Sequence, residues 1–200
     1  IPSILSEALA VSFDQHIGHD YLGQTDERFD YYHRVEERLK FDLQYFNRIT
    51  KGGLPPKTLN VALAGTGVGK SLFMCHVAAS MISQGKNVLY ITLEMAEERI
   101  AERIDANLLD VTIDELYEMP KKYYDDKIKK MQSKVQGQLI IKEYPTAAAH
   151  SGHFKALMDE LALKKSFKPD IVFIDYLNIC SSSRFKGGNI SSYFYIKAIA

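Results

Sequence analysis

Two spacings of apolar residues alternate along this chain of 200 residues. Four short runs are predominantly apolar, as buried strands are: residues 60–64, 87–93, 138–144 and 170–177. Between them, apolar residues recur every three or four positions, as they do in amphipathic helices: about 69–83, 96–106 and 152–165. Strands that alternate with helices indicate a mostly parallel sheet covered by helices on both faces. The sequence therefore predicts an α/β fold.

Further helices are predicted outside this alternating region. Helical spacing covers residues 1–13, and it covers about 26–40 with Phe29, Tyr32, Val35 and Leu39 on one face. A charged helix is predicted at about 121–135. Thr112 followed three residues later by Glu115 has the pattern of a capping box, which marks a helix start.

A glycine-rich segment between the first predicted strand and its helix has the composition of a phosphate-binding loop. Without side chains, the glycines let backbone N–H groups turn towards an anion, and the following helix adds the positive end of its dipole. Lys70 would supply a charge for the β- and γ-phosphates, and Ser71 a hydroxyl for Mg²⁺. The predicted nucleoside triphosphate site consists of Ala64, Gly65, Thr66, Gly67, Val68, Gly69, Lys70 and Ser71. Ala64 stands where the common pattern has glycine, and a flexible turn before a helix is the alternative.

Two acidic residues lie at the ends of predicted strands. Asp175 ends an apolar run, so it would lie beside the phosphate site and hold Mg²⁺ together with Ser71. A cap for the next turn is its alternative role. Glu94 ends the strand at 87–93, where it would either deprotonate the attacking water or cap the following helix. Spacing alone leaves both roles of Glu94 open.

Other polar groups give weaker signals. Two histidine pairs have the spacing of metal ligands: His16 with His19, and His150 with His153. Because no cysteine or carboxylate set completes either site, we interpret them as structural or solvated. The basic loop at 181–189, with Arg184 and Lys186, is either a contact for a phosphate backbone or a solvated loop.

Composition limits the possible classes of protein. Twenty-five basic residues balance 25 acidic ones, so any contact with nucleic acid must come from local loops. The two cysteines, Cys75 and Cys180, lie in apolar sequence and indicate reduced thiols in a cytoplasmic protein. No apolar run is long enough to span a bilayer, so no membrane partner is expected. The chain begins without methionine, and we expect it to be a piece of a longer protein.

Three segments stand in a fixed order: "AGTGVGKS", then "LEM", then "FIDYL". In this order they resemble the ATPase domain of DnaB-type replicative helicases, a branch of the RecA-like P-loop fold. The segments "EMAEERIAERIDANLLDV" and "IDYLNIC" look closest to the members of that family from T-even-type bacteriophages. The resemblance runs from about Leu39 to Ala200.

The resemblance implies ATP hydrolysis that drives 5′-to-3′ translocation on single-stranded DNA and unwinding of forked duplex. It implies a homo-hexamer that works with a primase and possibly a helicase loader, in the cytoplasm of the host cell if the source is viral. It also implies that Lys70 and Glu94 are catalytic, Glu94 as the base. Residues 1–22 would be a linker helix that packs on a neighbouring subunit, and 23–200 a RecA-like domain truncated at its C-terminal side. The family's sensor glutamine, DNA-binding loops and arginine finger are expected beyond Ala200.

Two other functions remain as alternatives. One is a RecA-like recombinase or another ring ATPase that assembles without unwinding a fork. The other is a nucleotide-gated binding module such as a helicase loader, which would need no base at Glu94. The hydrolysis rate of a Glu94→Gln variant distinguishes an ATPase from such a module.

Overall fold

The computed structural model describes residues 18–184 and 191–199. The helices are α1 (Thr25–His33), α2 (Gln44–Ile49), α3 (Lys70–Ser83), α4 (Glu97–Leu109), α5 (Ile113–Glu118), α6 (Lys121–Gln132), α7 (Ser151–Lys165) and α8 (Ser192–Ile199). The strands are β1 (Val88–Thr92), β2 (Leu139–Glu143) and β3 (Ile171–Asp175). A short 3₁₀ helix, Leu177–Ile179, follows β3. The chain divides into two compact units, Ile1–Glu37 and Arg38–Ala200, and the sheet belongs to the second.

The sheet is parallel, with strand order β2-β1-β3. The central strand β1 is buried along its whole length. Thr92 at its end is paired with Glu143 on one side and with Asp175 on the other. All three strands therefore end in register, and the residues that follow them lie along one edge of the sheet.

Helices cover both faces of this sheet. Alternate residues of β1 point to opposite faces, so Val88 and Tyr90 pack on one side while Leu89 and Ile91 pack on the other. The first face is covered by buried residues of α3 and α4: Met74, Cys75, Val77, Ala78, Met81, Ile82, Ile100 and Ile104. The second is covered by Phe154 and Leu161 of α7, together with Phe167 and Cys180. The predicted α/β fold with a parallel sheet is confirmed.

One predicted strand is wrong. Residues 60–64 form no strand, and Leu59, Val61 and Leu63 on this stretch are 79%, 71% and 95% exposed. The segment is apolar, but a strand also needs a neighbour that satisfies its backbone N–H and C=O groups. In the part of the chain that the structure describes, β1 is the only strand paired with β3, and the segment lies outside the sheet.

The predicted helix at 26–40 is shorter than expected, because α1 ends at His33. Leu39 instead forms an antiparallel bridge with Leu54, in which each backbone N–H donates to the other's carbonyl oxygen at 2.9 and 2.8 Å. Gly53 permits this approach, since a Cβ there would lie 2.2 Å from the carbonyl oxygen of Leu39. The helix predicted at 1–13 lies outside the described residues. The assignments of 1–22 to a linker helix and of 23–200 to the ATPase domain therefore stay predictions.

The predicted capping box of α5 is confirmed. The backbone N–H of Glu115 donates to Oγ1 of Thr112 at 3.1 Å, and the N–H of Thr112 donates to Oε2 of Glu115 at 2.7 Å. This second bond favours the charged carboxylate and lowers the pKa of Glu115.

Because the box satisfies two N–H groups at the helix start, Thr112→Ala should lower the free energy of unfolding by about 1 kcal/mol. Thr112→Ser retains the hydroxyl and should stay close to the wild type. Urea denaturation of both variants measures the difference. Equal losses for alanine and serine would show that the hydroxyl is not the stabilising group.

Candidate functional site

The glycine-rich loop leads directly into α3. Gly67 and Gly69 have φ values of +75° and +104°, in the left-handed region that favours glycine. A Cβ at either position would meet no atom within 4 Å, so it is the backbone conformation and not crowding that requires glycine. Gly69 is the N-cap of α3, and no side chain among residues 18–184 and 191–199 caps this helix. The first-turn N–H groups of α3 are therefore left without a side-chain acceptor.

Lys70, the first residue of α3, reaches across to the end of β3. Its Nζ lies 3.0 Å from Oδ1 of Asp175, whose side chain is fully buried, while the lysine side chain is 20% exposed. The same ammonium lies 3.7 Å from the ring centroid of Tyr176. Among the described residues Oδ1 has no hydrogen-bond partner, so its contact with Lys70 is an ion pair without the alignment of a hydrogen bond. Charge attraction does not require that alignment, and the two opposite charges attract each other at this distance.

The second oxygen of Asp175 is held from β1. The hydroxyl of Tyr90 donates to Oδ2 at 3.0 Å, and both side chains are fully buried. Burial above all, and then the charges of Cys75 and Asp175, raise the pKa of Tyr90 well above its usual range, so the phenol keeps its proton and can donate. The Sγ of Cys75 lies 3.9 Å from the same hydroxyl, and burial raises the pKa of that thiol to about 11.

Tyr90 is a site residue that the sequence motifs did not predict. It lies in the apolar segment "VLYIT", and a tyrosine hydroxyl buried in such a strand needs a hydrogen-bond partner, which is the one sign of its role in the sequence.

Glu94 lies in the turn just beyond β1 and is exposed. Two contacts fix this turn: Thr92 Oγ1 accepts from the N–H of Met95 at 3.1 Å and donates to its carbonyl at 2.8 Å. The neighbouring Leu93 donates its N–H to the carbonyl of Asp175 at 2.9 Å. Glu94 is therefore held at the same sheet edge as Asp175. Its alternative role as a helix cap is wrong, since α4 begins after Ala96 with no side-chain cap.

The loop residues 64–68 are exposed, and Ser71 is half-buried in the first turn of α3. Of the predicted site residues, the structure brings Lys70 and Asp175 into direct contact. Among the described side chains it gives no contact of Ser71 or Glu94 with either of them.

The remaining candidates have local roles or none. Nδ1 of His150 accepts from the N–H of Gly152 at 3.0 Å, and Nδ1 of His153 accepts from the N–H of His150 at 3.2 Å, so this pair caps α7. The structural interpretation of these two histidines is confirmed. His16 and Lys186 lie outside the described residues, and Arg184 is exposed.

No group of three or more histidine, cysteine or acidic residues able to hold a metal ion occurs within residues 18–184 and 191–199. In those ranges there is also no helix with the length and apolarity to cross a membrane.

Comparison with known proteins confirms the resemblance. The DnaB-like helicase C terminal domain matches residues 39–193. The DnaB-like replicative helicase of Enterobacteria phage T4 is 45% identical over 203 residues, which cover 100% of this chain and 43% of that protein. The chain thus spans less than half the length of this relative.

Two solved structures share the fold. A DnaB-like replicative helicase, described with its interactions with primase, superposes with a TM-score of 0.64 at 15% identity, covering 99% of this chain and 47% of that one. A solved ATPase domain superposes with a TM-score of 0.64 at 16% identity, covering 91% of this chain and 64% of that one. Because the DnaB-like helicase C terminal domain matches residues 39–193, more than half of the sequence, the chain belongs to the DnaB-like helicase family.

Proposed function

We propose that this chain is the ATP-hydrolysing part of a replicative DNA helicase that translocates 5′-to-3′ on single-stranded DNA and unwinds forked duplex. The observation that carries the proposal is the ion pair between Lys70, at the end of the glycine-rich loop, and Asp175, at the end of β3. It joins an anion-binding loop to a buried carboxylate at one sheet edge. Family membership and the 45% identity to the phage T4 helicase support the assignment.

Lys70 is the residue for phosphate binding. Its ammonium is paired with the carboxylate of Asp175 and lies over the ring of Tyr176. A triphosphate at the loop would offer this ammonium a second anion of higher charge. The uncapped N-terminus of α3 favours negative charge in the same place.

The residues present also fit Mg²⁺. Oδ1 of Asp175 is buried and has no hydrogen-bond partner in the part of the chain that the structure describes, and carboxylate oxygens are ligands that Mg²⁺ binds. Ser71, next to Lys70, offers a hydroxyl in the first turn of α3. We assign Ser71 and Asp175 as the residues that would hold the ion. The chemistry supplied at this site by a bound ion would be positive charge that offsets the negative charge developing during phosphoryl transfer.

Glu94 is our candidate for the general base. It is exposed at the sheet edge, so water can reach it, and the anchored turn between Thr92 and Met95 restricts its position. A carboxylate placed there can accept a proton from a water molecule that attacks the γ-phosphate.

Partners are assigned by analogy with the relatives. The solved DnaB-like helicase is described with its interactions with primase, and the T4 relative is a replicative helicase. We propose that this protein acts as a homo-hexamer on single-stranded or forked DNA, together with a primase and possibly a loader.

The test is hydrolysis and unwinding by the full-length protein with Mg²⁺. We expect ATP hydrolysis that single-stranded DNA stimulates, and unwinding of a fork with a free 5′ tail but not of a duplex with only a 3′ tail. Stimulated hydrolysis without unwinding would indicate a recombinase-type ATPase. Nucleotide binding without hydrolysis would indicate a loader-type module. Either result would contradict the proposal.

A further inference from the structure

The carboxylate of Asp175 receives its only hydrogen bond among the described residues from Tyr90, and this bond comes from a different strand. The two residues lie 85 positions apart in the sequence, and both are fully buried. A phenol has one O–H to donate and a carboxylate oxygen accepts it, so the direction of the bond is defined. The Oδ2 oxygen of Asp175 is thus hydrogen-bonded to a buried side chain of the protein.

The ring that carries this hydroxyl is fixed. Tyr90 is paired with Phe173 across β1 and β3, and the two rings stack with centroids 5.6 Å apart and planes at 16°. Thr92 and Asp175 form the next pair on the same face of the sheet. The phenol therefore extends along the sheet towards the carboxylate, and both side chains are fully buried.

The geometry points to Tyr90 as a positioning residue: its hydroxyl holds Oδ2 of Asp175 and thereby directs Oδ1 towards Lys70 and the phosphate loop. This inference rests on the proposed function, because it assigns Oδ1 to the ion that accompanies the nucleotide. Without the hydroxyl, Oδ2 would be buried without a donor, which is unfavourable. The carboxylate would then rotate more freely, so Oδ1 would be directed towards the ion for a smaller fraction of the time.

The test is binding of a fluorescent ADP analogue to the full-length protein, in Mg²⁺ and in EDTA. Tyr90→Phe removes the hydroxyl but keeps the ring stacked on Phe173, so we expect it to fold. Affinity in EDTA should match the wild type, while the gain in affinity produced by Mg²⁺ should fall about tenfold, the usual effect of one hydrogen bond to a charged group. This readout does not depend on hydrolysis.

Cys75→Ala is the matched control. It removes the other group in contact with the Tyr90 hydroxyl, in the same core, but leaves the bond to Asp175. We expect its gain from Mg²⁺ to equal that of the wild type. In an Asp175→Asn background, Tyr90→Phe should have no further effect on the gain, because the tyrosine acts through that carboxylate.

Three results would overturn the inference. The first is a Tyr90→Phe variant whose affinity rises with Mg²⁺ as much as that of the wild type, and the second is an equal loss of its affinity in Mg²⁺ and in EDTA. The third is a double variant in which the losses caused by Tyr90→Phe and by Asp175→Asn are additive. In each of these the wild type still shows a gain from Mg²⁺, so the proposed function stands. A wild-type protein with no gain from Mg²⁺ would contradict the proposed function, and this inference with it.

Discussion

Lys70→Ala should reduce ATP hydrolysis by the full-length protein by about 10²–10³-fold, the usual effect of losing one preorganised charged donor. This lysine lies at the end of the phosphate loop. Among the described residues, it is the one side-chain cation paired with Asp175. Its loss removes the charge that would meet the β- and γ-phosphates. Nucleotide affinity should fall as well, and titration with a fluorescent ATP analogue measures it.

The same substitution also leaves Asp175 buried without its counter-ion. Removing one partner of a buried ion pair costs about 3–5 kcal/mol, and the cost here should be smaller because Lys70 is 20% exposed. A melting curve of Lys70→Ala should therefore shift downwards. Adding Asp175→Asn removes the unpaired charge and should restore most of the stability without restoring nucleotide binding.

Lys155→Ala is the matched control, because this lysine is exposed on α7. It should leave hydrolysis, affinity and melting temperature unchanged. If Lys70→Ala bound nucleotide as tightly as Lys155→Ala, the assignment of the phosphate site would be wrong.

Glu94→Gln should slow hydrolysis by about 10²–10⁴-fold, the usual contribution of a general base. Glutamine keeps the size of the side chain but cannot take the proton. Because Glu94 is exposed and is not a helix cap, neither stability nor nucleotide affinity should change. Single-turnover hydrolysis of bound ATP isolates the chemical step from nucleotide binding.

The control for this variant is Glu98→Gln, an exposed glutamate in the first turn of α4. It removes the same charge four residues further along the chain and should leave hydrolysis near the wild-type rate. Full turnover by Glu94→Gln would show that another group takes the proton. Equal slowing in both variants would indicate a general effect of charge on this surface.

The two charged residues of the ion pair could be predicted because each lies in a local pattern. Lys70 follows a glycine-rich loop before a helix, and Asp175 ends a predominantly apolar run. Parallel strands ending in register then bring the second pattern to the edge of the sheet, as expected for this fold. The role of Tyr90 could not be predicted in the same way. Its position in a buried strand shows that its hydroxyl needs a partner, but the partner is fixed by strand pairing between distant segments.

The wrong predictions of secondary structure also arise because pairing between segments cannot be deduced from local sequence. Periodicity indicates which residues are apolar on one face, but it does not show which segment packs against that face. Residues 60–64 have the composition of a strand yet lack a strand partner among the described residues. Leu39 has helical spacing, but pairing with Leu54 determines its conformation. The capping box at Thr112 was predicted correctly because all its groups lie within four residues.

The distance in sequence between the paired residues has a consequence for folding. Tyr90 and Asp175 are 85 positions apart, and Lys70 precedes Tyr90, so the phosphate loop meets its carboxylate only after β3 has docked on β1. Pairing of such remote segments is slow because a long loop must close first. A nucleotide that contacts both Lys70 and Asp175 would bind the native state and not partly folded states. It would therefore stabilise the native state by mass action. ATP should therefore slow unfolding of this domain while leaving its rate of folding nearly unchanged.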